Sequence, residues 1–307
     1  MRGSAILLHM SYRLKNGERL AAGIRRVARE QLEDALGEMA AATAEEEGPA
    51  VHATRKHIKK IRALLRLIRA KIGPEIFREE NDRLREVARG FSGSRDARVQ
   101  LQVLEKLREG AEPTGAIFAE TAATLQAELA THADCFGPQR HAAQTTLQWI
   151  GDRLEGWPLD DLEIEDLCCA LRSSYKRGRK CFRSVRAQAS ADSFHSWRKR
   201  VKDIWYQSRL LQNLNPAVMC EIIQEARTLG QQLGDLHDVA FFRIRLEAES
   251  GGAEEERTLL LGLICTRERE LQEVALDLGT RFFAEKPGAF ERRLLRYARE
   301  WSRSRSA

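Results

Sequence analysis

The chain predicts an all-α fold, and three observations carry that prediction. Ala, Leu, Glu, Arg, Lys and Gln dominate its 307 residues, and only 7 prolines interrupt them. No stretch sustains a period-two alternation, and no Asn-Gly or Asp-Gly turn joins two strand-like runs. Hydrophobic residues make up 43%, enough to bury a sizeable core and to argue against disorder. No run of about 18 apolar residues occurs, which excludes a transmembrane helix from the reading.

Glycine and proline punctuate the helices. The first helix spans 17–45 and ends in a solvated acidic turn, Glu45-Glu46-Glu47, before Gly48-Pro49. Helices over 50–72 and 74–90 meet at Gly73-Pro74, and a fourth covers 95–109. Pro113-Thr114-Gly115 opens 115–134; Gly137-Pro138 and Trp157-Pro158 bracket 139–155. A long helix over 161–189 is followed by 192–214, which stops at Asn215-Pro216. Helices over 216–233 and 235–250 lead to Gly251-Gly252, then 253–284, then 287–303 after Pro287-Gly288. Residues 1–16 read as an extension, in part vector-derived, and its start is too short for a signal peptide. The tail, 302–307, is expected to fray.

Charge is segregated. The net charge is only +6, yet residues 51–72 carry eight Lys/Arg and no acid. Residues 172–209 carry twelve Lys/Arg against two Asp. The two segments together hold +18, so −12 is left for the rest of the chain. Concentrated cations in an acidic body point to a specific polyanion site. The six cysteines form no C-x-x-C pair, so zinc ribbons and thioredoxin-like motifs are unsupported, and reduced cysteines in the cytoplasm are expected.

The basic segments are copies of one another. Residues 51–61 align without gaps on 194–204, matching His52 with His195, Arg55 with Arg198, Lys56 with Lys199 and Lys59 with Lys202. Arg66 matches Arg209. At an offset of 142, Arg95-Asp96 aligns on His237-Asp238, and 24–29 aligns more loosely on 171–176. This predicts a single domain over 17–303. One repeat half covers about 17–109 and the other about 161–250, with connecting helices at 110–160 and C-terminal helices at 253–303. Two four-helix bundles related by a pseudo-twofold are the expected architecture.

At about 100° per residue, His52, Arg55, Lys56, Lys59, Arg62 and Arg66 share one helix face, while Ile58, Ile61, Leu65 and Ile68 share the opposite one. His195, Arg198, Lys199, Lys202 and Arg209 repeat the basic face, joined there by Tyr206. A solvated bundle face is the bland alternative, but such a face mixes signs, as 74–90 does. Crowded like charges repel and suit a linear phosphate anion, with Arg giving forked hydrogen bonds and Lys compact charge. Lys176, Arg179, Lys180 and Arg183 form a second stripe, and Arg25, Arg26 and Arg29 a weaker one. His237 joins the candidate set. Asp96 and Asp238, at helix starts, are expected to orient neighbouring cations rather than to catalyse.

At these residues the sequence resembles the CHAD domain, the conserved histidine α-helical domain. The likeness rests on His52-x-x-Arg55-Lys56-x-x-Lys59 and its copy His195-x-x-Arg198-Lys199-x-x-Lys202, with Ser94-Arg95-Asp96, the 233–238 segment, Tyr175-Lys176-x-x-Arg179-Lys180 and the 283–287 segment in support. The resemblance implies a basic surface or cavity between the bundles. It also implies binding of inorganic polyphosphate, and association with polyphosphate granules and with granule proteins or polyphosphate-metabolising enzymes. It departs from symmetry where Asp203 stands opposite Lys60 and Trp205 opposite Arg62. A fused CYTH triphosphatase would need a Glu-x-Glu-x-Lys strand. Glu163-Ile-Glu165 is followed instead by Asp166-Leu167 within a helical segment, so a stand-alone protein is expected.

The leading expectation is therefore a binding module rather than an enzyme, with no cofactor, no resident metal and no membrane partner. Nucleic-acid binding is the second reading; it accounts for the charge but finds few aromatics on the face beyond Tyr175 and Tyr206. A metal-dependent phosphohydrolase built on the His237-Asp238 doublet is the third, and it needs further converging ligands.

Overall fold

The computed structural model describes residues 12–42, 47–109, 118–133, 136–248 and 254–306. Ten α-helices and two 3-10 turns lie among the described residues, without a strand. Residues 1–11, 43–46, 110–117, 134–135, 249–253 and 307 fall outside them, with the side chains of 92–95, 132–133 and 304–306. So do the expected turn at Glu45-Glu46 and the breaks at Pro113-Thr114-Gly115 and Gly251-Gly252.

The helices are α1 Leu20–Ala41, α2 Glu47–Gly90, α3 Ser92–Glu109, α4 Ala119–Ala133, α5 Phe136–Arg153, α6 Ile164–Ala187, α7 Ala191–Leu210, α8 Pro216–Ala248, α9 Glu254–Phe282 and α10 Pro287–Ser306. Gly73 kinks α2 at the expected place. Its φ of 80° and ψ of 166° lie in a region that costs a residue with a Cβ, and Pro74 follows. Three expectations are corrected. The 216–233 and 235–250 helices are one continuous α8, because Gly234 lacks a side chain but keeps its helical N–H and no proline accompanies it. The helix expected to reach 214 ends at Leu210, and a 3-10 turn, Gln212–Leu214, precedes α8. The tail expected to fray stays helical through Ser306.

Caps fix the helix starts that matter for the site. The α7 start is a capping box: Ser190 accepts from the Ser193 N–H while the Ser193 hydroxyl accepts from the Ser190 N–H. The α6 start pairs Glu163 with Asp166 in the same way. Asn215 accepts from the Val218 N–H beside Pro216, which needs no donor partner at the first helical position.

α1, α2 and α5 pack together, as do α6, α7 and α8, with α9 on α8 and α10 on α6. α2 also packs directly on α6 and α7, so the two basic helices meet in the middle of the molecule. Their apolar faces supply Ile58, Ile61, Leu65, Ile68, Trp197, Val201 and Ile204, all buried in one continuous core. α9 approaches α6 and α7 closely because Gly279 carries no Cβ; one built there would lie 2.6 Å from the Trp197 ring and 2.7 Å from that of Phe182. Cys168, Cys169, Cys181, Cys220 and Cys265 are unpaired thiols. No described helix is long and apolar enough to cross a membrane.

Candidate functional site

The crossing of α2 and α7 is polar at its centre. Gln207 donates from Nε2 to the Ala63 carbonyl at 3.1 Å, tying the two helices together. Arg66 donates from Nη1 to Asp203 Oδ1 at 3.0 Å, and Arg200 reaches the other carboxylate oxygen at 3.3 Å. Burial pushes the Asp203 carboxyl up, against the pull of Arg66, Arg200, Arg177 and Arg62. Lys60 and Arg209, only 4% and 7% exposed, both sit over the Tyr12 ring, at 5.6 and 5.7 Å. Their charges repel. Burial first, then Arg209 and Lys56, bring the Lys60 ammonium down to about 8, with Asp34 opposing. No described carboxylate forms an ion pair with Arg209. Lys60 is held by Gln31, whose Oε1 accepts from Lys60 Nζ at 2.5 Å and from His57 Nδ1 at 2.9 Å.

Around this centre the cations outnumber their acids. Lys199 is exposed, and its ammonium is lowered by burial and by Arg200, Arg85, Arg62 and Arg198. Arg62 bonds Asn81 at 3.0 Å, and burial with Arg66 brings it down to about 10. Arg177 on α6 is lowered by burial, Arg200, Arg66 and Arg69, with Asp203 opposing. Cations of α2, α6 and α7 therefore share one electrostatic neighbourhood. A second group surrounds Lys202, brought down to about 8 by burial and Arg198, with Arg227 adding to the repulsion and Asp235 and Asp238 opposing it. Lys202 Nζ also sits 4.7 Å from the Trp205 ring.

The expected residues divide into those the structure presents and those it uses internally. His52, Lys56, Lys176, Lys180, Arg183 and Lys199 are exposed. Arg55, Lys59, Arg62, Arg66, Arg198 and Lys202 are half-buried along the same helices. Arg55 donates to the Ala88 carbonyl. His195 is half-buried, its ring 4.6 Å from that of His237, and burial, Lys199 and Arg198 lower its pKa. Asp96 is half-buried. Asp238, expected at a helix start, lies inside the continuous α8, where its charge favours the charged form of Lys202.

Four placements correct the sequence expectation. Tyr206 is 4% exposed and stacks on Trp205 against Tyr12, so it belongs to the core rather than to the basic face. Arg209 is buried beside it. Arg25 donates to the Leu154 and Trp157 carbonyls at 3.2 and 2.7 Å, and Arg29 pairs with Glu155 at 2.5 Å; Arg26 pairs with Glu18 and Glu30. The α1 arginines thus fasten α1 to the 154–157 turn and to the chain entering α1. Arg179 donates to the Phe283 carbonyl at 2.9 Å and anchors the 282–287 turn, leaving Lys176, Lys180 and Arg183 as the α6 stripe.

Sequence reasoning missed Arg69, Arg85, Arg177, Arg200 and Arg227. Arg85 and Arg227 had a signal: they stand at the same 142-residue offset as Asp96 and Asp238. Arg177 and Arg200 had none, since each lies off the basic stripe of its helix, whereas Arg69 borders the α2 face next to Arg62. Among the described residues no three His, Cys, Asp or Glu side chains gather closely enough to hold a metal ion, so the His237-Asp238 doublet has no ligand set there.

A family model described as the CHAD domain matches residues 26–247, which covers α2 to α7 whole and leaves α9 and α10 outside the match. No curated protein matches the chain.

Proposed function

The chain belongs to the CHAD domain family, and on that premise we propose that it binds inorganic polyphosphate along the basic neighbourhood where α2, α6 and α7 meet. The family is associated with polyphosphate binding. The observation that carries the reading for this chain is the crowding of cations from distant segments: Arg66 and Arg200 bond the buried acid Asp203, with Arg62 and Arg177 near it, and exposed Lys199 lies in the field of Arg200, Arg85 and Arg62. A fold holds such a cluster at a cost that a bound polyanion offsets. A phosphate chain presents oxygen acceptors along its whole length, so several arginine forks and lysines engage it at once. The reading is of a binding module, docking on polyphosphate granules.

The sequence repeat gives the site an internal asymmetry. Lys60 and Asp203 occupy matched positions, as do Arg66 and Arg209. Arg66 meets Asp203, while Arg209 acts on Lys60. This reciprocity supports a pseudo-twofold through the α2–α7 crossing, with an ion pair on one side and two cations on the other.

The test is charge reversal at exposed positions. Lys199→Glu combined with Arg85→Glu lowers affinity for long-chain polyphosphate by at least about tenfold, while helical circular dichroism is retained. Unchanged affinity in the folded double variant overturns the site. A variant that binds RNA as before but has lost polyphosphate excludes RNA as the main ligand of this face.

A further inference from the structure

A cavity of about 410 Å³ opens beside the N-terminal end of α7, between α7, α8 and α9. The basic-face reading does not use it. Phe194, Leu236, Ala240, Phe241 and Ile244 form its apolar wall, and Asp192, His195, His237, Arg243, Glu268 and Gln272 its polar one. Phe241 and Ile244 are 40% and 48% exposed, large apolar side chains left facing water. The volume falls within the roughly 300–1,000 Å³ of small-ligand sites.

Two features say what such a cavity takes. The first is a staircase of flat rings. His195 and His237 lie 4.6 Å apart at 31°, and His237 and Phe241 lie 6.4 Å apart at 29°. Near-parallel offset rings are the surface on which another flat ring stacks. The second is the charge at its border. His195 lines the cavity beside Asp192; Arg198 and Lys199, one turn further along α7, stand outside the lining but act on its ring, against Asp192. Glu268 is bound by Arg243 at 3.1 and 3.3 Å, a guanidinium that Glu247 shares at 2.7 Å, and Gln272 adds an amide. Bare phosphate gains nothing from apolar walls and loses its hydration there. A ligand with a flat heteroaromatic end and a phosphate tail satisfies both halves.

We propose that this cavity is a nucleobase subsite, so that the chain takes a nucleoside polyphosphate with its base on the His237–Phe241 rings and its phosphates on Arg198 and Lys199. The base edge would bond Gln272 and Glu268; the Glu268 carboxylate offers no donor to inorganic polyphosphate. The proposal rests on the basic-face reading for the phosphate half and on the cavity alone for the base.

The experiment is calorimetric titration of the full chain with ATP and with inorganic tripolyphosphate, both without divalent cations, beside long-chain polyphosphate. ATP binds about tenfold or more tightly than tripolyphosphate, the advantage expected of one stacked base. Phe241→Ala and, separately, Ile244→Ser each erode that advantage and leave tripolyphosphate binding unchanged; both side chains are solvent-facing, and thermal melting confirms the fold. Lys199→Glu weakens both ligands. Equal or weaker binding of ATP than of tripolyphosphate, or an ATP advantage that survives both cavity variants, overturns the subsite. If long-chain polyphosphate still binds in that case, the subsite alone has failed. If neither inorganic chain binds, the basic-face reading has failed with it.

Discussion

His57 shows how a single residue ties the charged face to the fold. It is buried on α2, its Nδ1 bonded to Gln31, and burial with Lys60 and Lys56 lowers its pKa to about 3 even though Asp34 lies 3.7 Å away. The folded protein therefore keeps it neutral over a range where the unfolded chain, with an ordinary pKa of about 6.5, takes up a proton. Stability falls as pH drops from about 6.5 towards 3, with a slope of up to about 1.4 kcal/mol per pH unit from this group. His57→Gln removes that slope, as chemical denaturation across this range would register. Asp203 offers a second residue-scale test. Asp203→Asn leaves Arg66 without its counter-charge, which destabilises the fold by about 3 kcal/mol. The same change deletes the acid at the centre of the cationic cluster, so polyphosphate affinity rises at fixed ionic strength while the melting temperature falls. The sequence displayed Asp203 as a departure from the repeat. What it could not display is that the acid faces Arg66 from the other half, because that contact exists only once α2 and α7 cross.

At the scale of elements, the same residue type has two fates. The arginines of α1 and Arg179 of α6 are spaced like the exposed stripe, yet they cap carbonyls and pair with acids from distant turns. Periodicity specifies which face a cation occupies but not what approaches that face. Arg25→Ala strands two carbonyls and costs about 1–3 kcal/mol, with polyphosphate affinity held within about twofold. Lys199→Glu gives the opposite pattern, lost affinity with stability retained. Helix boundaries divide in a similar way. Gly73-Pro74 was legible as a break because the backbone there adopts a conformation that favours glycine, and Gly73→Ala is expected to cost about 1–3 kcal/mol although the space around it is open. Gly234 resembled a break and is none, since a helix loses only about 1 kcal/mol to an interior glycine when tertiary packing supports it. Arg198 packs against the bare backbone there, 3.7 Å from where a Cβ would stand.

Across the whole molecule, an all-helical class follows from composition and 3.6-residue periodicity, and the two basic segments were visible as charge blocks. Their meeting in the centre follows from the packing of α2 on α6 and α7, tied by Gln207 to the Ala63 carbonyl and by Arg66 to Asp203. An acidic remainder of the chain confines that potential instead of spreading it, which favours a localised polyanion site. Tyr175 and Tyr206, the aromatics the sequence places beside this face, are buried: Tyr175 donates to the Phe282 and Glu285 carbonyls, and Tyr206 stacks on Trp205 against Tyr12. The central claim is thus that the face selects repeated phosphate. It is tested by competition for the full chain among long-chain polyphosphate, single-stranded RNA and orthophosphate at two salt concentrations, with product analysis of the same samples. The account predicts polyphosphate bound in preference to both competitors, an affinity falling steeply with salt as counterions are released, and polyphosphate recovered intact. RNA binding equal to or better than polyphosphate, or a salt-independent affinity, would contradict it.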